Sequence, residues 1–142
     1  MANTIQIETD GFRKSEKLAA EALYPGNWLE RTSADVVQKH STAGGYSQRM
    51  VAVEDALQGN TVATQYASGA LVQFHYVSPG ARIQVLLLAG ENVAIGAELV
   101  SDGLGRMIAT TGTPEETAGW AEEALDLSAS AAIDTLITMR VG

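Results

Sequence analysis

Paired turn residues divide this chain into short apolar runs. Glycine stands beside proline, asparagine, aspartate or a second glycine at Pro25-Gly26, Gly44-Gly45, Gly59-Asn60, Pro79-Gly80 and Asp102-Gly103. Such pairs favour tight turns, because glycine accepts positive φ angles and proline fixes φ. The runs between them are rich in β-branched residues and do not alternate with helical stretches. This spacing predicts an all-β sandwich or barrel from Trp28 onward and argues against a parallel βαβ sheet.

Individual runs support this interpretation. Residues 71–77 and 135–141 alternate imperfectly between apolar and polar side chains, as strands partly buried on both faces do. Residues 117–127 contain alanines and glutamates that favour a helix, but their place before Ser128-Ala129-Ser130 suits a strand paired with residues 133–141. We predict a strand there, and a tight hairpin turn at Asp102-Gly103.

The first 24 residues differ from the rest. Residues 4–8 alternate, and Leu18, Ala22 and Leu23 share one face of a helix if residues 17–23 form one. The segment is therefore either a short helix or an extended arm that becomes ordered on a partner. We predict an N-terminal arm or short helix over residues 1–24 and one β domain over residues 25–142.

Length and composition restrict the functional classes. A chain of 142 residues is long enough for one domain with its own core. Cysteine is absent, which excludes a disulfide framework, a thiolate metal site and a cysteine nucleophile. The N-terminus lacks a basic start followed by an apolar block, and the longest apolar run, residues 85–89, is too short to span a bilayer. We expect a soluble protein made in the cytosol, with no membrane partner.

The distribution of charge argues against nucleic-acid binding. The net charge is −8; residues 1–50 hold six basic and six acidic side chains, and residues 51–142 hold three basic and eleven acidic ones. Nucleic-acid binding requires a cluster of positive charge, and the acidic body would repel phosphate. We therefore expect no direct nucleic-acid partner.

Residues with possible catalytic chemistry have simpler explanations. His40 and His75 are 35 positions apart and neither lies in a metal-ligand spacing. Adjacent carboxylates, as in Glu54-Asp55, point to opposite faces of a strand. The segment Ser101–Arg106 lacks the lysine of a phosphate-binding loop and the acidic spacing of a calcium loop. We predict no catalytic residue, no cofactor and no metal site, and hence a protein that is not an enzyme.

Four pieces of the sequence, in this order, carry a family resemblance: Tyr24–Glu30, Val51–Gly59, Gln65–Val72 and Val93–Arg106. The order resembles the small head decoration, or cement, proteins of tailed bacteriophages. The likeness runs from about residue 14 to the C-terminus and includes a final passage from Gly119 to Val141.

The resemblance implies a small antiparallel β-barrel or β-tulip-like domain with an extended N-terminal arm. It implies a non-enzymatic virion protein, made in the bacterial host cytoplasm, that lies on the outer face of the capsid, binds the major capsid protein and bridges its subunits. It also implies association of the chain with itself, as a homotrimer first and a dimer next. No catalytic or cofactor residues carry over.

The N-terminal segment holds the candidate interface residues. Alternation suits Ile5 and Ile7 to edge-on pairing with a partner strand. Aromatic anchors and basic side chains complete the set: Phe12, Lys14, Lys17 and Tyr24. An alternative function is a carbohydrate-binding or host-surface-binding module of a virion, which would need an exposed aromatic platform.

Overall fold

The structure is a computed structural model that describes residues 4–8, 13–112 and 114–142. Their regular structure consists of β-strands and one 3₁₀ turn, Ala56–Gln58. The strands are β1 Gln6–Glu8, β2 Arg13–Leu18, β3 Trp28–Arg31, β4 Val37–Lys39, β5 Met50–Ala52, β6 Leu71–Tyr76, β7 Arg82–Leu87, β8 Asn92–Val93, β9 Glu98–Ser101, β10 Met107–Ala109, β11 Gly119–Ala121, β12 Leu125–Asp126 and β13 Thr135–Val141.

Five strands close into a barrel. They follow the order β7, β10, β9, β11, β13, and β13 pairs again with β7. The pair β7–β10 is parallel, and the other four pairs are antiparallel. The predicted mainly β fold with a small barrel is confirmed, although one pair makes the barrel mixed instead of wholly antiparallel.

Strand β7 is hydrogen-bonded along both edges. One edge pairs with β13 over six residues, from Arg82 opposite Arg140 to Leu87 opposite Thr135. Three amides on the other edge donate at 2.6 to 3.0 Å to three separate segments: Gln84 to Ile5, Leu86 to Gly26, and Leu88 to Met107. The strand β1, the turn at Gly26 and the strand β10 therefore share this edge in succession.

Alternation along β13 explains the imperfect pattern of the sequence. Ile137, Met139 and Val141 point into the barrel core and are buried. Thr138 points outward but is only 7 % exposed, and its hydroxyl accepts a 2.7 Å hydrogen bond from the side-chain amide of Gln84. A polar residue is tolerated on this covered face because it is hydrogen-bonded.

The strand prediction for residues 117–127 is confirmed. Within this segment β11 pairs with β13, as expected, and also with β9, whereas β12 pairs with β8. Pairing on both edges of β11 overrides the helix propensity of the alanines and glutamates in residues 117–127, because propensity is a weak preference.

A second sheet has the order β2, β6, β5, β3, β4. Its two edge strands meet, since Ala19, directly after β2, bridges to Val37 in β4, and the amide of Ala20 donates to the carbonyl of Val37 at 2.8 Å. The sheet is thus curled around its own core. That core consists of Ala19, Leu23, Leu29, Val37, Met50, Ala52, Tyr66, Val72 and Phe74.

The short-helix alternative for residues 17–23 is wrong. Strand β2 pairs with β6 over six residues, up to Leu18 opposite Leu71. Leu23 exchanges two backbone hydrogen bonds with Tyr66. Leu18 is 51 % exposed and Leu23 is fully buried, so the two side chains do not share a face. Strand β2 and Leu23, which belong to the predicted arm, are therefore paired within the chain. The domain boundary at residue 24 stays a prediction.

The two units share a packed boundary. Trp28 in β3 and Val51 in β5 are fully buried and belong to the barrel core, although both strands lie in the second sheet. They lie opposite each other in the sheet, on the face that is turned away from the second core. The second sheet therefore covers part of the barrel.

Gly119 provides a test of the barrel packing. A methyl group there would overlap the carbonyl oxygen of Arg140 and the side chain of Met139. We expect Gly119→Ala to lower the free energy of unfolding by about 3 kcal/mol, because the paired strands must separate. Urea denaturation measures this change.

Gly80→Ala is the matched control. Gly80 has φ +91° and no atom within 4 Å of an added methyl group, so the substitution strains only the backbone. Its expected effect is about 1 kcal/mol. Equal effects of the two substitutions would show that β11 is not tightly packed against β13.

Candidate functional site

The predicted apolar interface residues of the N-terminus lie in different environments. Ile5 is fully buried in the barrel core, and its amide donates to a carboxylate oxygen of Glu54 at 3.2 Å. A contact between Ile5 and a partner would require this residue to leave the core. Ile7 is 41 % exposed in β1. Phe12 lies outside the described residues.

The other predicted interface residues lie on or after β2. Lys14 is exposed, Lys17 is half-buried and Tyr24 is 43 % exposed. Lys14 is opposite His75 in β6, and Lys17 is opposite Val72, so the two lysines point to opposite faces of the sheet. The structure therefore does not gather these residues into one cluster.

Asp35 joins the two edges of the curled sheet. It lies in the loop between β3 and β4, with φ +62°. Its carboxylate binds the ammonium group of Lys17 at 2.8 Å and the guanidinium group of Arg31 at 2.6 Å. The hydrogen bond from Lys17 is the main cause that holds the pKa of Asp35 below its ordinary value. The charge of Lys17 is thus already paired within the chain.

A shallow cleft of about 250 Å³ lies between the barrel edge and the second sheet. Its lining comprises Thr4, Gln6, Lys14, Val53, Glu54, Ala56 and His75. Burial lowers the pKa of His75, the charge of Lys14 lowers it further, and Glu54 opposes the change. The cleft therefore brings the imidazole of His75 together with an ammonium and a carboxylate group.

His40 has a structural environment. The residue is 1 % exposed, and its Nε2 lies 2.8 Å from the carbonyl oxygen of Tyr46. Its Nδ1 lies 2.7 Å from the hydroxyl of Ser101. A carbonyl can only accept, so in the neutral ring Nε2–H donates to Tyr46 and the Ser101 hydroxyl donates to Nδ1. His40 thereby ties the loop after β4 to the end of β9.

The glycine-rich segment Ser101–Arg106 joins the barrel to the second sheet. It is a hairpin loop between β9 and β10, as predicted, but it uses residues 102–106 and not a two-residue turn. The carboxylate of Asp102 accepts from the amides of Leu104 and Arg106 at 2.7 and 3.0 Å. The amides that a phosphate would need are therefore occupied by Asp102.

The same loop contacts two other parts of the chain. The carbonyl of Gly105 accepts from the amide of Trp28 at 2.8 Å and from the side chain of Asn27 at 3.2 Å. The guanidinium group of Arg106 bridges Asp102 and Asp134, at 2.7 and 3.2 Å. The loop therefore connects the barrel to the second sheet and to the segment before β13.

Exposed apolar side chains mark surfaces that could receive a partner. The most exposed are Leu57, Ile133, Tyr46, Ile95, Leu104, Leu18 and Leu71. None of them is among the predicted interface residues. For two of them, Leu57 and Leu71, the sequence does give a signal, which is the absence of charge. Residues 56–81 contain no Asp, Glu, Lys or Arg, although residues 56–65 are exposed except for Val62.

The described part of the chain offers no arrangement for a metal ion, since no three His, Cys, Asp or Glu side chains come together there. A search of the same residues for a helix with the length and hydropathy of a membrane span finds none.

The fold defines a class of small β proteins in which a closed barrel packs on a second, curled sheet. No protein-family model matches the sequence, and neither does a curated protein. Five chains among the solved structures match. One is the crystal structure of the head fiber gp8.5 N base of bacteriophage phi29, with a TM-score of 0.62 and 16 % identity over 93 % of this chain and 95 % of that chain. At this identity the likeness is one of fold.

Asp102 tests the structural role of the hairpin loop. We expect Asp102→Ala to lower the free energy of unfolding by about 2 to 3 kcal/mol, because two amides and Arg106 lose a nearly buried acceptor. Asp102→Asn should retain part of that stability, since an amide oxygen can still accept from both backbone amides. Urea denaturation separates the variants, and equal losses would contradict the role of these hydrogen bonds.

His75 predicts a pH dependence of stability. Its pKa in the folded chain lies below the ordinary value of 6.5, so the unfolded chain binds a proton at higher pH than the folded chain. Stability from the neutral ring is complete above pH 6.5 and is lost as the pH falls through the folded pKa. Urea midpoints at pH 7.5, 6.5 and 5.5 should fall less in His75→Gln than in the original protein. The same fall in both proteins would contradict the assignment to His75.

Proposed function

We propose that this chain is a non-enzymatic structural protein of a phage virion that binds the outer surface of the capsid and bridges subunits of the major capsid protein. The observation that carries the proposal is the fold shared with a phage head fiber base over nearly the full length of both chains. The four sequence pieces that resemble head decoration proteins support the same role independently. Under this proposal the protein is made in the bacterial host cytoplasm and functions on the virion.

The polar chemistry of the chain supports binding more than catalysis. His40 and the loop of residues 102–106 are two features of the sequence with a chemical alternative, and both hold the fold together. A catalytic group must be available to a substrate. The side chains of His40 and Asp102 instead satisfy buried or backbone partners.

The uneven distribution of charge along the chain supports one orientation of the protein on the capsid. Residues 13–76, which contain the second sheet, carry six basic and six acidic side chains, whereas residues 77–142, which contain most of the barrel, carry three basic and nine acidic ones. Under the proposal the neutral, lysine-bearing side docks and the acidic barrel faces solvent. A solvated acidic surface also keeps particles apart.

A modest contact between the protein and the capsid is sufficient to stabilise the shell when it is repeated many times. An interface of about 800 Å² per partner with a few aromatic anchors stabilises a shell when it is repeated over a lattice. Association of the chain with itself, as a trimer or else a dimer, would let one copy of the assembly contact several capsid subunits. We include this self-association in the proposal.

Binding to undecorated capsids tests the proposal. Purified protein mixed with emptied, undecorated capsids of its phage should co-sediment to a saturating copy number and raise the temperature at which the capsids open. Tyr24→Ala should weaken binding by about tenfold, because an exposed aromatic anchor is lost. Tyr46→Ala, which removes an exposed tyrosine from a different loop, is the control and should bind normally.

The absence of co-sedimentation would overturn the proposal. Binding to immobilised glycans in its place would favour the alternative, a carbohydrate-binding or host-surface-binding module. Normal binding by the Tyr24 variant would place the capsid contact outside the N-terminal segment. Equal loss in the Tyr24 and Tyr46 variants would show that the contact is not confined to that segment.

A further inference from the structure

An unusually long part of the chain is both exposed and uncharged. Residues 56–81 form a run of 26 without Asp, Glu, Lys or Arg in a chain that is 18 % charged, where a run of this length would carry about five. Its first half is a surface loop between β5 and β6, and most of its side chains are exposed. Exposed loops normally carry charge, because charged groups gain most from hydration.

A second segment extends this region into one continuous surface. Residues 18–24 run beside residues 65–71, held by backbone hydrogen bonds of Ala19 with Gly69 and Ala70 at 2.8 Å. Leu23 and Tyr66 exchange hydrogen bonds of 3.0 and 2.7 Å. The two segments therefore form one rigid layer and not two independent loops.

The single charge in this layer is compensated. Glu21 is the only charged residue of segment 18–24, and its carboxylate lies 3.5 Å from the ammonium group of Lys39. Any partner that approaches the layer therefore meets little net charge.

Leucine side chains supply apolar contact area on the layer. Leu18 and Leu71 are cross-strand neighbours on β2 and β6, with exposures of 51 % and 49 %. We call the area formed by Leu18, Ala20, Ala67 and Leu71 the uncharged surface.

We infer that the uncharged surface is where a second copy of this chain binds. Each copy carries a net charge of −8, so contacts through the acidic barrel bring like charges together. A two-fold contact between copies must accommodate the same surface on both sides. A surface without net charge does so without repulsion, and interfaces between identical chains are the most apolar and charge-depleted kind.

This assignment deepens the self-association part of the proposed function and leaves the capsid contact to other residues. A surface built to recognise a charged partner would carry complementary charges. The uncharged surface has none to offer, whereas burial of its leucines needs only another apolar surface. A second copy is the one partner whose matching surface the chain itself supplies.

Sedimentation equilibrium of the full chain, without capsids, tests the inference. The original protein should sediment as a multiple of its 14.9 kDa mass. Leu71→Glu should weaken self-association by about 30-fold, because it buries a charge in the contact. Ile95→Glu introduces the same charge at a side chain that is 71 % exposed in the turn after β8, outside the uncharged surface, and should not change the mass.

Folding of each variant is checked by circular dichroism. Should Leu71→Glu fail to fold, Leu18→Glu replaces it, because Leu18 is the cross-strand neighbour of Leu71 and is 51 % exposed. A monomeric original protein, a folded Leu71 or Leu18 variant that associates normally, or equal dissociation of the Ile95 control would each overturn the inference. Self-association with the expected variant pattern in a protein that does not bind capsids would uphold the inference and reject the proposed function.

Discussion

The closed pairing of β7 is the constraint on which the rest of the structure depends. One edge of β7 is covered by β13, and the other edge is shared by β1, the Gly26 turn and β10. A strand buried in a barrel must satisfy the hydrogen-bonding groups of both edges. Three segments that are far apart in sequence are therefore fixed next to one another. Among them, the Gly26 turn leads directly into β3, so the barrel sets the position at which the second sheet begins.

Polar interactions then lock the second sheet onto the barrel. The hairpin loop of residues 102–106 accepts hydrogen bonds across the boundary at the carbonyl of Gly105, and His40 connects the end of β4 with Ser101. Both features are among those that suggest a chemical function in the sequence. Their partners are protein atoms at hydrogen-bonding distance, which explains why a histidine and a glycine-rich loop are present in a chain proposed to act by binding. Partners can therefore bind only to the outer surface of the protein, on which charged and exposed apolar side chains are unevenly distributed.

Much of the fold could be predicted from sequence because turns and strands leave local signals. The strand over residues 135–141 and the hairpin around Asp102 are visible in alternation and turn chemistry. The interface prediction was less informative, since it treated Ile5 and Ile7 alike. Both lie in one alternating stretch, yet Ile5 is buried in the core and Ile7 is 41 % exposed. Residues two positions apart share a face only in a regular strand, whereas Ile5 precedes β1 and the pairing of β1 with β7 is irregular between Gln6 and Glu8. Of the two alternatives for the segment near Leu23, a short helix or an extended arm, the helix is wrong because hydrogen bonds to Tyr66 replace helical ones.

The sequence by itself determined the β class, the positions of most turns, the acidic balance of the second half and the absence of charge over residues 56–81. These properties depend on side-chain chemistry and on neighbours a few residues apart. Only the tertiary structure decided that residues 18–24 lie beside residues 65–71 and that β10 runs parallel to β7. Backbone groups are the same in every strand, so hydrogen bonding alone does not select a partner. The selection is made when distant segments bury their apolar faces in a common core.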